Sequence, residues 1–91
     1  MKDKEAYRKK NEARLEELQA KIDLLEAKAK KASAQGEIEL KKKIEQAKES
    51  RDKAREKLEE LKEKGEKEWE GLKNAVNAAL TELEENLAEN R

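Results

Sequence analysis

The 91-residue chain contains no cysteine, no histidine, no proline and no phenylalanine. Because cysteine is absent, the chain has no disulfide framework, no thiolate nucleophile and no zinc finger. Because histidine is absent, Ser-His catalytic triads and the Glu-x-x-His ligand sets of di-iron bundles are excluded. We therefore predict a protein that is not an enzyme and that has no catalytic, metal-binding or cofactor-binding residues.

Residues that favour β-sheets are also scarce, since the chain has one Trp, one Tyr, one Val and one Thr. Such a composition leaves too few β-branched and aromatic side chains to build a sheet. Ala, Glu, Lys, Leu and Arg dominate instead, which is typical of coiled coils and long helices. The composition predicts an all-α fold.

Long apolar segments are missing as well. No part of the chain approaches the roughly 18 consecutive apolar residues that a membrane span needs. The first ten residues, MKDKEAYRKK, lack the apolar centre of a signal peptide. We expect a cytoplasmic protein.

The charges balance, with 23 basic and 23 acidic side chains. This balance removes the long-range field of a dedicated nucleic-acid binder, and the basic runs at 8–10 and 41–43 have no interleaved aromatic residue for base stacking. We predict no nucleic-acid partner. Residues 1–35 carry ten basic and seven acidic side chains, whereas residues 66–91 carry three and seven. Opposite ends therefore attract, which favours an antiparallel arrangement.

Apolar and small residues recur at alternating spacings of three and four, which indicates a heptad seam. The seam runs through Leu15, Leu18, Ile22, Leu25, Ala29, Ala32, Gly36, Leu40, Ile44, Ala47, Arg51, Ala54, Leu58, Leu61, Gly65, Trp69, Leu72, Val76, either Ala79 or Leu80, Leu83 and Leu87. It slips at Gly36 and at Gly65, where spacings of four follow one another. We therefore predict helices over about 3–34, 37–64 and 66–90.

The two glycines are predicted hinges, because glycine is unfavourable inside a helix and common just beyond a helix end. Reversal at both Gly36 and Gly65 gives an antiparallel coiled coil of three helices, and reversal at Gly65 alone gives a long helical hairpin. A stutter in one continuous helix is the alternative at either slip. The Ser and Gln of the KASAQGEIEL stretch (31–40) suggest a loop, yet its small residues keep the seam register.

Reversal at both glycines would place residues of the three helices in common core layers. The predicted layers pair Leu18 with Ala54 and Val76, and Ala29 with Ile44 and Leu87. Arg51 falls in a core position and fits if its charged head extends outward.

The core of a single chain is small, with eleven Leu, three Ile and one Val. Burial of so few apolar side chains is largely cancelled by the entropy of ordering the chain. We therefore expect a homo-oligomer or a complex with a protein partner. The predicted interface lies on the last helix, which carries few charges and the single Trp: Trp69, Leu72, Val76, Leu80, Leu83 and Leu87.

The function predicted from these features is that of a non-enzymatic structural or protein-interaction module acting through a helical surface. The alternative is an amphipathic helix that binds lipid at a membrane surface, with Trp69 at one end. Lipid is less favoured, because the polar face of this helix is acidic and anionic lipid would repel it.

Three segments resemble a group of small uncharacterised bacterial coiled-coil proteins. They are KIDLLEAKA (21–29), RDKAREKLEELK (51–62) and WEGLK (69–73), in the order in which that group carries similar motifs. The resemblance covers most of the chain and implies a coiled-coil fold with no established activity. Members of that group tend to carry a glycine near position 65, whereas Ala or a charged residue stands near position 36.

Overall fold

The computed structural model describes residues 2–65 and 67–88, with side chains from residue 4 onward. In these two ranges the chain forms three α-helices and no strand: α1, Lys2–Lys31; α2, Ala34–Glu63; and α3, Trp69–Ala88. The predicted all-α fold is confirmed. The predicted third-helix limits, 66 and 90, lie outside the described residues.

The three helices pack as a bundle around the predicted seam. Its buried apolar residues come from every helix: Leu15, Leu18, Ile22, Ala29, Ile44, Ala47, Ala54, Leu58, Leu61, Trp69, Val76, Ala79, Leu80 and Leu83. Ile22, Leu61 and Leu80 are 0% exposed. The heptad pattern therefore identified the residues of the core.

The first reversal lies at Ala32 and Ser33, not at Gly36 as predicted. Ser33 is the N-cap of α2, and its hydroxyl accepts a hydrogen bond of 3.3 Å from the backbone N–H of Gly36. Gly36 therefore belongs to the first turn of α2. The physical reason is that a serine hydroxyl satisfies a free N–H group at a helix start, which a glycine has no side chain to do.

The second reversal lies between α2 and α3, where Gly65 was predicted as a hinge. The carbonyl of Gly65 accepts hydrogen bonds of 3.2 Å from the N–H groups of Glu68 and Trp69. The Glu68 carboxylate in turn accepts one of 3.3 Å from the Gly65 N–H. This reciprocal pattern resembles a capping box and leads the chain into α3. Gly65 has no positive φ, so its role here does not depend on the left-handed conformation that favours glycine.

The position of α3 along the bundle differs from the predicted layers. Those layers place Leu87 beside Ala29, but in the structure Leu87 lies in a hollow with Leu18 and Lys21. Arg14 of α1 likewise contacts Glu84, a sequence separation of 70. The predicted layers instead pair residues of the first and third helices that are 58 positions apart in sequence, as Ala29 and Leu87 are. The two separations differ by 12 residues, which is between one and two heptads. A displacement of α3 along the seam keeps the same side chains in the core, so the seam alone does not determine its position.

Small-angle scattering can test whether the chain reverses. The bundle measures 50 × 21 × 17 Å, so we expect a maximum dimension near 50 Å. A continuous helix through Ser33 and Gly65 would instead approach about 130 Å, because each helical residue adds about 1.5 Å. A particle longer than about 100 Å would contradict the fold.

Candidate protein-binding site

The apolar face of α3, predicted as an interface, is turned into the chain's own core. Val76, Leu80 and Leu83 are 0% exposed. Trp69 is 6% exposed, and Leu72 and Leu87 are partly buried against the same core. In the folded bundle Trp69, Val76, Leu80 and Leu83 are therefore part of the chain's own core, whereas Leu72 and Leu87 stay partly accessible.

The lipid alternative meets the same obstacle, because the apolar face it needs is the one in the core. Binding a membrane surface through Trp69 would require α3 to leave the bundle. No helix within the described ranges has both the length and the apolar character needed to cross a bilayer.

Two aromatic rings join α1 to the start of α3. The rings of Tyr7 and Trp69 lie 5.7 Å apart, and the Lys73 ammonium is 5.1 Å from the Trp69 ring centre. The Tyr7 hydroxyl donates to the carbonyl of Lys73 at 3.1 Å and lies 2.8 Å from Oδ1 of Asn77. Burial raises the pKa of the Tyr7 hydroxyl above its usual value, and the positive charge of Arg14 lowers it by less. These contacts hold together the end of the bundle at which α1 and α3 begin, which we call the closed end.

Charged and polar side chains add further links between the helices. Arg14 of α1 pairs with Glu84 of α3 at 2.8 Å, and Lys48 of α2 pairs with Glu26 of α1 at 2.6 Å. These side chains are 32% to 44% exposed, so each pair contributes little stability but reports which residues face each other. Arg51 extends its guanidinium to Gln19 of α1, with Nη1 2.7 Å from Oε1. The predicted outward extension of Arg51 therefore agrees with its observed position.

A buried polar contact ties α2 to the last turns of α3. Ser50 is 2% exposed, and its hydroxyl accepts a hydrogen bond of 3.0 Å from the side-chain amide of Asn86. The same amide lies 3.5 Å from the carbonyl of Gln46. Because a buried hydroxyl without a partner would be unfavourable, this contact helps to set how far α3 extends along α2.

Within residues 2–65 and 67–88 the bundle is open beyond this contact, because α3 has 20 residues and α2 has 30. At about 1.5 Å per residue, α3 is shorter by about 15 Å. The closed end is filled by the aromatic contact, so the uncovered length falls at the other end, beside the first reversal. The seam residues Leu25, Ala32 and Leu40 lie there and are only partly buried.

This opening, which we call the tip groove, has a volume of about 470 Å³. Its α2 wall is formed by Gly36, Glu39, Leu40, Lys42, Lys43 and Gln46. Glu85 and Asn86, in the last turns of α3, close one end. A Cβ atom on Gly36 would lie 3.4 Å from Cβ of Ala32, so the first turn of α2 lies close to the reversal that precedes it.

Two large apolar side chains face solvent elsewhere. Leu24 is 69% exposed and Ile38 is 67% exposed. Single exposed apolar residues are common on protein surfaces and do not by themselves indicate a site.

Carboxylates do not form a site either: in the part of the chain that the structure describes, no three acidic side chains are grouped so that they could hold a metal ion.

The heptad pattern includes Gly36 and Leu40, which line the tip groove, but it does not indicate that they form a site. Ala32, Gly36 and Leu40 are placed in the seam, but the predicted layers end at Ala29, Ile44 and Leu87 and do not indicate that the seam beyond them is uncovered. The signal that could have corrected this is the short length of the third apolar segment. Comparisons with protein-family models, curated proteins and solved structures find no match to this chain. The resemblance to bacterial coiled-coil proteins stays a prediction.

Proposed function

We propose that the protein is a non-enzymatic helical module that binds another protein through the tip groove. The observation that carries this proposal is the difference in length between α3 and α2, 20 and 30 residues, which leaves part of the seam without a third helix. Helices gain most of their stability by covering an apolar face. A helix from a partner could supply the cover that α3 does not.

The burial of the seam residues elsewhere in the bundle also supports the tip groove as the binding surface. Along most of α3 the core side chains are buried within the chain, and Leu80 and Leu83 are 0% exposed. At the tip, by contrast, Ala32 and Leu40 are only partly covered. The tip groove therefore combines a partly covered seam residue, Leu40, with a concave shape and access from solvent. A concave, accessible surface with an apolar contact point is a feature of protein-binding grooves.

We also propose that neighbouring helices run antiparallel. Two contacts between α1 and α2 support this: Lys4 near the start of α1 donates to the carbonyl of Lys64 at 2.7 Å, and Glu26 near its end pairs with Lys48. Of the two partners expected from the sequence, we favour a different protein over a second copy. An uncovered seam about 15 Å long is expected to bury less surface than the roughly 800 Å² per partner of a stable interface. A permanent homo-oligomer would need an interface of that size, whereas a transient complex with another protein would not.

Site-specific photo-cross-linking in cells that produce the protein tests this function. A benzophenone side chain would replace Glu39, which lines the tip groove, or Glu49, an exposed glutamate on the same helix that does not. We expect a discrete protein adduct from position 39 and none from position 49. The adduct should decrease when the parent protein is produced in excess in the same cells, since both compete for one partner.

The mass of the adduct separates the alternatives. A second copy would add 10.5 kDa, and a different protein would add its own mass. Equal labelling from positions 39 and 49, or no protein adduct at position 39, would contradict protein binding at the tip groove. An added mass of 10.5 kDa would assign the groove to self-association instead.

A further inference from the structure

The first reversal occupies only two residues, Ala32 and Ser33, between the last residue of α1 and the first residue of α2. Ser33 has φ −66° and ψ 167°. An α-helix has φ near −63° and ψ near −42°, so of the two Ser33 torsions only ψ departs from the helical value. No residue in 2–65 or 67–88 has a positive φ. At Ser33 the reversal and a continuous helix therefore differ by rotation about one bond.

The hydrogen bonds at the reversal are mostly those that a continuous helix would keep. The Glu37 N–H donates to the carbonyl of Ser33 at 2.7 Å, and this bond joins residues four apart, as in any α-helix. The bond of 3.3 Å from the Gly36 N–H to the Ser33 hydroxyl is the cap contact that a continuous helix would lose. Residues 29–35 contain no proline and no glycine. The local cost of joining α1 to α2 is thus little more than one helix cap.

The sides that α1 and α2 turn toward α3 are in phase with each other. Arg14 of α1 and Ser50 of α2 both contact α3, and they are 36 residues apart, which is about ten turns of a straight helix. The core residues Ile22 and Leu58 have the same separation. In one continuous helix over residues 2–63, the two sides that face α3 would therefore coincide, and so would the two core sides.

The sides that α1 and α2 turn toward each other are in phase as well. Gln19 and Arg51 contact across this boundary and are 32 residues apart, close to nine turns. Glu26 and Lys48 pair at 2.6 Å and are 22 residues apart, close to six turns. A reversal does not require this agreement, because the connection sets the phase between two antiparallel helices. A straightened chain would thus present to a second copy the side that α1 and α2 present to each other.

We propose that two copies of this chain exchange α1 by straightening at Ser33, which gives a dimer in which residues 2–63 of each copy form one helix. Each α1 would pack against α2 and α3 of the other copy and keep the contacts that it makes within one chain. The contact of Ser50 with Asn86 would stay within one copy. The single chain predominates at low concentration, because the dimer costs the free motion of one molecule. The inference does not depend on what binds the tip groove.

Exchange would also change the surface at the tip. The two long helices of the dimer run antiparallel, so the two-fold axis that relates them is perpendicular to the plane that they define. Rotation about this axis keeps both α3 helices on the same side of the plane, with their ends pointing toward each other. The two uncovered lengths of about 15 Å would therefore adjoin and leave about 30 Å of seam open on one side.

Two substitutions at the reversal shift the exchange in opposite directions. Ser33→Ala removes the cap of α2 and introduces a better helix former, so we expect the association constant of the dimer to rise tenfold or more. Ala34→Pro places proline at the first residue of α2, where the reversal accepts it but a continuous helix does not. We expect this variant to keep the single chain folded and to abolish the dimer. Gly71→Ala is the control, because its added Cβ meets nothing within 4 Å, and it should change the association constant less than threefold.

Mass and length identify the dimer. Each protein would be concentrated and held just below its unfolding midpoint, so that α1 can leave one bundle and join another, and then cooled. Light scattering measures the fraction with twice the mass of 10.5 kDa. Small-angle scattering of that fraction should give a maximum dimension of about 90 Å, because residues 2–63 form one helix at about 1.5 Å per residue.

Energy transfer separates exchange from association of intact bundles. Because the chain has no cysteine, the exposed residues Lys10 of α1 and Glu56 of α2 can be replaced with cysteine to carry two dyes. In the bundle the dyes lie on two packed helices, whereas in a straightened chain they are about 70 Å apart. The labelled chain would be mixed with an excess of unlabelled chain under the same conditions. Exchange should remove the transfer as the dimer forms.

The other outcomes overturn the inference. A dimer that keeps its energy transfer, or one that persists in Ala34→Pro, would show association of intact bundles or exchange at another place. The absence of a dimer in Ser33→Ala at every concentration would exclude exchange at Ser33, and an equal rise in Gly71→Ala would show that the reversal has no special part. Ala34→Pro also keeps this question apart from the tip groove, since an addition of 10.5 kDa at position 39 that remains in this variant does not come from exchange.

Discussion

Replacing Trp69 with alanine is expected to lower the free energy of unfolding by about 3–5 kcal/mol. The indole is 6% exposed, and it is the chain's only Trp. It packs 5.7 Å from the Tyr7 ring, centre to centre, at the first residue of α3. Removing it would leave a cavity at the end of the bundle where α1 and α3 meet. It would also remove the aromatic partner of the Lys73 ammonium.

The expected loss is large for a chain of this size. Domains of this length are typically stable by about 5–15 kcal/mol, so the variant would lose a substantial part of its stability. Urea unfolding followed by circular dichroism at the helical band measures the effect, since the variant has no tryptophan fluorescence. The midpoint should fall while the slope stays close to that of the parent chain.

A Trp69→Phe variant provides the control. Phenylalanine keeps a ring beside Tyr7, so we expect a loss of less than half that of the alanine variant. A loss below about 1 kcal/mol for Trp69→Ala would show that the indole does not belong to the core. In that case the surface role predicted for Trp69 from the sequence would regain support.

The first reversal shows how local chemistry can be misread from residue frequencies. By residue frequency Gly36 is the expected hinge, because glycine is rare in this chain and unfavourable in helices. The structure uses Ser33 instead, whose hydroxyl accepts from the N–H of the third residue of the next helix. That pattern was visible in the sequence, since a serine precedes a helical segment with Glu37 in its first turn.

The position of α3 could not be predicted for a different reason. A heptad repeat has nearly the same face after every seven residues, so Leu80 and Leu87 are equivalent partners by pattern alone. What selects one alignment is a set of individual contacts, among them Tyr7 with Trp69 and Ser50 with Asn86. Such contacts join residues far apart in sequence, and no local pattern reveals them.

The tip groove follows from that alignment. Had α3 extended as far as predicted, Leu87 would have covered Ala29 and Ile44, and the seam would have been closed. The observed shift moves Leu87 toward Leu18 and leaves Leu40 partly exposed. Core membership was therefore predictable from periodicity, whereas the candidate site required knowledge of where one helix stops.

Two leucines on different faces test whether the apolar side of α3 is core or interface. Leu80 is 0% exposed, and Leu24 is 69% exposed on α1. We expect Leu80→Ala to lower the free energy of unfolding by about 2–5 kcal/mol, because it removes transfer free energy and leaves a cavity. Leu24→Ala should change it by no more than about 0.5 kcal/mol, because its side chain is mostly in water in both states.

Both variants would be measured by urea unfolding and by light scattering at several protein concentrations. If α3 is core, Leu80→Ala loses stability at every concentration and its mass stays that of the parent chain. If α3 were instead the predicted interface, the same change would lower the mass at high concentration and leave the stability of the separated chains nearly unchanged. The buried position of Leu80 predicts the first result, because its contacts are made within one chain and do not depend on concentration.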